Sequence, residues 1–217
     1  MSLNKPFQHA PSAIASYNYT DISSGTGITD FYAGQAALSG SSVSYILSNV
    51  AFYSNSVATA NYTGTDGTYT EKFDIDFDVV INRPFRIGGI VMANIPMKCQ
   101  HEAGSAGASA DFYVIVKLRK WDGTTETEIA SNTTKNVNTS VGVTTYDISA
   151  VYLNIPETNF KKGETLRLST IGYASRTQDG NYNVQMAYDP KNRAIGWDAS
   201  GSPSSLIVQI PQKLDTD

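Results

Sequence analysis

Between residues 69 and 81 the apolar and acidic positions separate by parity. Tyr69, Phe73, Ile75, Phe77, Val79 and Ile81 hold one parity and Asp74, Asp76 and Asp78 the other. Successive side chains of an extended backbone point to opposite faces, so the pattern predicts a strand with one buried face and one acidic, wet face. Residues 112–121 repeat the alternation with Phe112, Val114, Val116 and Leu118 on one side. Asp122-Gly123 follows and leads into a Thr-rich return segment, a hairpin signal. Residues 164–171 place Leu166 and Leu168 opposite Arg167, entered through a turn at 160–163. Further strands are predicted at 85–97, 143–153, 182–188 and 206–210, with two more inside 43–62 broken at 54–56. Pro84 closes the first strand because it lacks a ladder donor, and Pro156 is read the same way for 143–153. Eight or nine strands without a sustained helical period predict an all-β fold, an antiparallel two-sheet sandwich of jelly-roll type.

Residues up to about 40 depart from this pattern. They are rich in Ser, Gly, Ala and Thr with scattered aromatics, and predict an extended N-terminal arm, 1–40, ahead of a single sandwich domain, 41–217. Phe7, Tyr17, Tyr19, Phe31 and Tyr32 are its expected interface anchors. A chain of 217 residues can bury a core of ordinary size without staples, and the lone Cys99 excludes an intrachain disulfide framework. Sixteen Lys and Arg against 20 Asp and Glu give a formal charge of −4, the wrong sign for a nucleic-acid surface. Residues 1–10 carry no apolar core of signal-peptide length, and no run approaches the ~20 apolar residues of a membrane helix. The expectation is a chain made in the host cytoplasm and neither secreted nor membrane-bound.

Candidate chemistry is sparse. Acid–base or nucleophilic catalysis needs a base positioned beside an activated nucleophile, and the two histidines, His9 and His101, fall in no such motif. The chain is therefore expected not to be an enzyme and to use no cofactor. Three carboxylates on one strand face invite a cation, but same-face neighbours stand about 7 Å apart, too far to close on one ion, so a solvated face is expected and no metal. Lys117, Arg119, Lys120, Lys161 and Lys162 offer a modest positive surface for an acidic neighbour. Trp197, in a long loop, with Tyr182 and Tyr188, forms a possible glycan-stacking set.

Three segments resemble jelly-roll accessory proteins of tailed bacteriophage virions: the hairpin of residues 116–123, the turn and strand of 160–168, and the ending from Tyr188-Asp-Pro through 206–211. The resemblance implies a virion structural protein, a capsid decoration, cement or vertex component, with no catalytic residues to carry over. Its implied partners are the major capsid protein or other virion proteins and further copies of itself, a trimer being favoured, with neither nucleic acid nor membrane. The alternative is a carbohydrate-binding or host-receptor-binding jelly-roll module of a phage fibre or tail, served by Trp197, Tyr182 and Tyr188.

Overall fold

The computed structural model describes residues 26–37, 43–102, 104–193 and 201–213. Among them twelve strands and no helix appear: β1 (Thr26–Ala37), β2 (Val43–Ser48), β3 (Tyr62–Gly64), β4 (Thr70–Val80), β5 (Phe85–His101), β6 (Ser109–Trp121), β7 (Glu126–Thr133), β8 (Val137–Ser140), β9 (Thr144–Phe160), β10 (Thr165–Arg176), β11 (Tyr182–Met186) and β12 (Ile207–Lys213). They form one hydrogen-bonded sheet in the order β3-β11-β5-β12-β1-β2-β4-β10-β6-β7, with β9 on β5 and β8 on β6. Two separate antiparallel sheets were expected. Instead the strands are continuous, because β2 meets β4 in parallel at Ile46 and Asp78 and so links what would be two layers. The fold is all-β with mixed pairing.

Strand length explains the order. The 17-residue β5 takes β9 along one edge from Phe85 to Gln100 and shares its other edge between β12 and β11. Strand β10 runs between β4 and β6, so its backbone is paired on both sides and nearly every residue is buried. Inward side chains from both halves meet in one core, including Ile87, Val91 and Ile95 of β5, Phe73 and Phe77 of β4, Phe112 and Val116 of β6, and Leu153 of β9. Non-directional burial of this apolar area is the main favourable term.

Three prolines lie inside strands, Pro96, Pro156 and Pro211, and the last two sit where the ladder with β5 is already broken. Pro156 does not end its strand: β9 continues to Phe160 because the register with β5 shifts between Ile87 and Gly89, opposite Pro156. Pro211 likewise lies inside β12 where its register with β5 shifts between Gln209 and Gln212. A missing donor costs nothing at an unpaired position. Pro84 does punctuate the chain as expected, falling between β4 and β5. The Asp122-Gly123 hairpin is present: Gly123 takes φ +99°, and Asp122 Oδ1 accepts the backbone N–H groups of Thr124 and Thr125 at 2.9 and 2.8 Å. Residues 49–61 hold no named strand, so the second strand expected inside 43–62 is reduced to β3 at its end.

The expected arm also looks different. Residues 26–37 form β1, paired with β12 on one side and β2 on the other, so the stretch before residue 40 includes a central strand. Residues 1–25 lie outside those described.

Candidate functional site

Outward side chains divide the surface into two unlike faces. On β9, β5, β12 and β1 the register aligns Tyr152 with Met92, Ala150 with Asn94, Asn94 with Ile207, and Ile207 with Tyr32. Ile148 stands beside this row on β9 and Ile90 on β5. Ile90 is 63% exposed, Tyr152 56%, Ile28 50% and Ile148 44%. Two clefts flank Ile148, one of ≈ 320 Å³ lined by Tyr146, Asp147, Ile148, Ser202 and Pro203, the other of ≈ 340 Å³ reaching Lys135 and Tyr152. Scattered exposed apolar residues are ordinary, whereas several on one sheet face mark a contact surface.

The outward face of β4, β10, β6 and β7 is charged. The row of Asp74, Asp76 and Asp78 lies on it as the alternation predicted, but a cross-strand cation engages two of the three. Arg167 of β10, opposite Asp78, donates from Nε and Nη2 to the two Asp78 oxygens at 2.7 and 2.8 Å. Its Nη1 lies 3.3 Å from Asp76 and 3.0 Å from Glu126. The guanidinium also sits 5.9 Å from the ring of Trp121, which is partly exposed at the hairpin end. These carboxylates hold the guanidinium firmly protonated, Asp78 being the largest cause. Lys117 pairs with Glu128 at 3.1 Å, Arg119 with Glu126 at 3.1 Å and Lys120 with Glu164 at 2.7 Å. The basic stretch is thus largely neutralised within the chain, while Lys161 and Lys162 stay exposed at the turn. Among the described residues no group of three metal-ligating side chains converges.

At the far end of the same face three tyrosines gather from separate segments. Tyr113 of β6 and Tyr173 of β10 are register partners and stack with centroids 5.5 Å apart and planes at 16°. Tyr69 meets Tyr113 edge-on at 5.0 Å. Tyr173 donates its hydroxyl to Glu71 at 3.3 Å, and Asn136 donates to the Tyr69 oxygen at 2.9 Å. Sequence reasoning missed this cluster. Alternation put Tyr69 on the buried side with Phe73, but the register of β4 with β10 shifts between Gly172 and Tyr173, so the parity reverses before Phe73 and Tyr69 comes to the outer face beside Tyr113 and Tyr173.

The proposed glycan rings fare otherwise. Tyr182 is fully buried, donates to Asp66 at 2.8 Å and carries Lys72 at 5.1 Å from its ring. Tyr188 is buried in edge contact with Tyr45 at 5.8 Å and Phe77 at 5.6 Å, and burial pushes its phenol up. Neither ring offers a free face to a ligand, because Tyr182 on β11 and Tyr188 just beyond it both point into the core. Trp197 lies outside the described residues. Of the arm anchors, Phe31 is buried in the core and Tyr32 is half-buried on the apolar outer face, while Phe7, Tyr17 and Tyr19 lie outside the described residues. His101 is buried, its Nδ1 3.0 Å from the Glu102 carbonyl. Cys99 is buried beside it, and burial first, then Asp111, pushes the thiol up to about 12. No helix among the described residues is long and apolar enough to cross a membrane.

These features define an all-β protein with one apolar and one charged outer face. No family model matches the chain, and no curated protein matches its sequence. Among solved structures it is similar to an aminopeptidase from the marine sediment archaeon Thaumarchaeota archaeon, with TM-score 0.53, 8% identity, 87% of this chain and 37% of that one. It is also similar to an α-amino acid ester hydrolase, with TM-score 0.51, 11% identity, 85% of this chain and 36% of that one. VP2 of infectious bursal disease virus aligns over 94% of this chain and 39% of its own at TM-score 0.37 and 8% identity, a weak similarity to a viral capsid protein. The chain spans little more than a third of the hydrolases it matches. At these identities the likeness shows the fold alone. It nevertheless overturns the expectation that the chain is not an enzyme: folds matched at TM-scores above 0.5 belong to hydrolases, so an all-β build without a legible catalytic motif does not set a chain apart from enzymes.

Proposed function

We propose that the chain is a virion structural protein, a capsid decoration, cement or vertex component that docks on neighbouring subunits through the outer face of β9, β5, β12 and β1. The observation that carries this reading is the run of exposed apolar side chains on that face, Ile28, Ile90, Ile148 and Tyr152. Full burial of such a side chain is worth roughly 1.5–3 kcal/mol before the costs of association and ordering. Four on one face supply an interface centre, with the clefts beside Ile148 to receive partner side chains. Tyr32, half-buried on the same face, belongs to this surface. Neighbours are the major capsid protein and further copies of the chain, arranged as a trimer, and many copies multiply a modest contact through avidity. Cross-linking of intact particles tests the reading. Links from Lys135 and Lys213, which border the apolar face, to a neighbouring protein are the expected result; links confined within single chains would count against it.

A further inference from the structure

The tyrosine cluster lies on the charged outer face and has no part in the docking reading above. We propose that Tyr69, Tyr113 and Tyr173, with Glu71, Asp74 and Asn136, form a binding platform for a neutral hexose-based glycan. Three observations argue for that chemistry. Tyr69 is 43% exposed at the edge of the cluster, and Tyr113 and Tyr173 are half-buried, so aromatic surface remains open above the sheet. The floor between the rings and the acidic edge is apolar, since Ile171 lies opposite both Asp74 and Ile115. Around this surface stand groups that need donors. Among the described residues Asp74 makes no hydrogen bond or ion pair, and Glu71 receives only the Tyr173 hydroxyl.

A pyranose supplies what these groups lack, C–H faces for the rings and hydroxyl donors for the carboxylates, which only accept. Charge narrows the class. Glu71 and Asp74 lie together and disfavour an anionic ligand; desolvation first, then Asp76 and Glu71, raises the Asp74 carboxyl from its ordinary value against a weaker pull from Arg119 and Lys117. An ammonium or guanidinium group is less well matched, because Tyr113 and Tyr173 have closed their facing surfaces on each other and leave no slot between rings to enclose a cation. The tyrosine hydroxyls are already oriented by Glu71 and Asn136, so the platform is preorganised.

The test is a screen of the full chain against immobilised neutral hexose oligosaccharides, with heparin and oligolysine as charged probes, followed by calorimetric titration of the strongest neutral binder. The expected result is binding of a neutral oligosaccharide that Tyr69→Ala weakens by roughly tenfold and Asp74→Asn by roughly threefold or more, while Tyr69→Phe keeps most of the affinity. Asp74→Asn changes an exposed, unpartnered group and keeps the fold, so it decides the matter if Tyr69→Ala does not fold. No neutral binder, tighter binding of heparin or oligolysine, or affinities unchanged in both variants would overturn the proposal.

Discussion

Replacing Arg167 by Met removes the hub of the charged face while keeping most of its aliphatic stem. Arg167 makes a two-bond fork to Asp78 at 2.7 and 2.8 Å and a further bond to Glu126 at 3.0 Å, and it lies over Trp121. Charge-assisted bonds of this kind contribute about 1.5–3 kcal/mol when shielded. Here the partner carboxylates are about a third exposed, so solvent screening reduces each pair toward the 0–1 kcal/mol of a surface ion pair. The variant also leaves Asp76, Asp78 and Glu126 facing one another without their shared cation. The loss comes to roughly 2–3 kcal/mol, which for a chain of this size lowers the melting temperature by roughly 5–10 °C. Urea unfolding followed by circular dichroism measures it, with an Arg167→Met/Asp78→Asn cycle to isolate the pair at about 1 kcal/mol. Raising the salt to 1 M shrinks the difference, since the pairs are partly solvated. A loss below about 0.5 kcal/mol, or one insensitive to salt, would refute the assignment of Arg167 as the group that neutralises the acidic row.

Three further outcomes follow from particular side chains. In Gly172→Ala the new Cβ would fall 2.4 Å from Cε1 and Cζ of Phe73, whose ring is held by Tyr62 and Phe112, so overpacking costs about 1–3 kcal/mol by urea unfolding; an unchanged midpoint would contradict the packing. Cys99, with its thiol raised to about 12 by burial, stays unlabelled by iodoacetamide at pH 8 in the native protein and reacts on denaturation; stoichiometric native labelling would contradict its burial. Asp66 is held well below the ordinary carboxylate range by Lys72, then Tyr182 and Thr70. Its depressed folded pKa stabilises the protein above about pH 4, and that contribution fades as pH falls further, so the acid sensitivity of Asp66→Asn below pH 4 is weaker than that of the parent. Equal slopes for the two proteins in an acid titration would rule this out.

What was legible in the chain is what period two encodes. Residues 69–81 and 112–121 announced β4 and β6, because each has a buried face and a wetter face and the side-chain parity records it, while β10 was announced by Leu166 and Leu168 set against Arg167 although nearly all of it is buried. The hairpin at Asp122-Gly123 was equally plain, since its chemistry is local. Strand β1 was hidden because a strand flanked by β12 and β2 can carry small residues such as Ala33 and Gly34, which read as an arm. Pro156 misled because the shift that excuses it lies on β5, far away in sequence. Site geometry was the least legible. Arg167 meets Asp78 across 89 positions, and Tyr69, Tyr113 and Tyr173 converge only through the register of β4, β10 and β6.

The most direct test of the proposed assembly role is sedimentation of the purified chain with its particles, comparing the parent with Ile148→Asp/Tyr152→Asp. Both changes lie on exposed positions of β9, so the fold is retained. The parent is expected to pellet in stoichiometric amount, and the variant, folded by circular dichroism, to stay in the supernatant. A variant that pellets as fully as the parent, or a parent that never pellets, would contradict it.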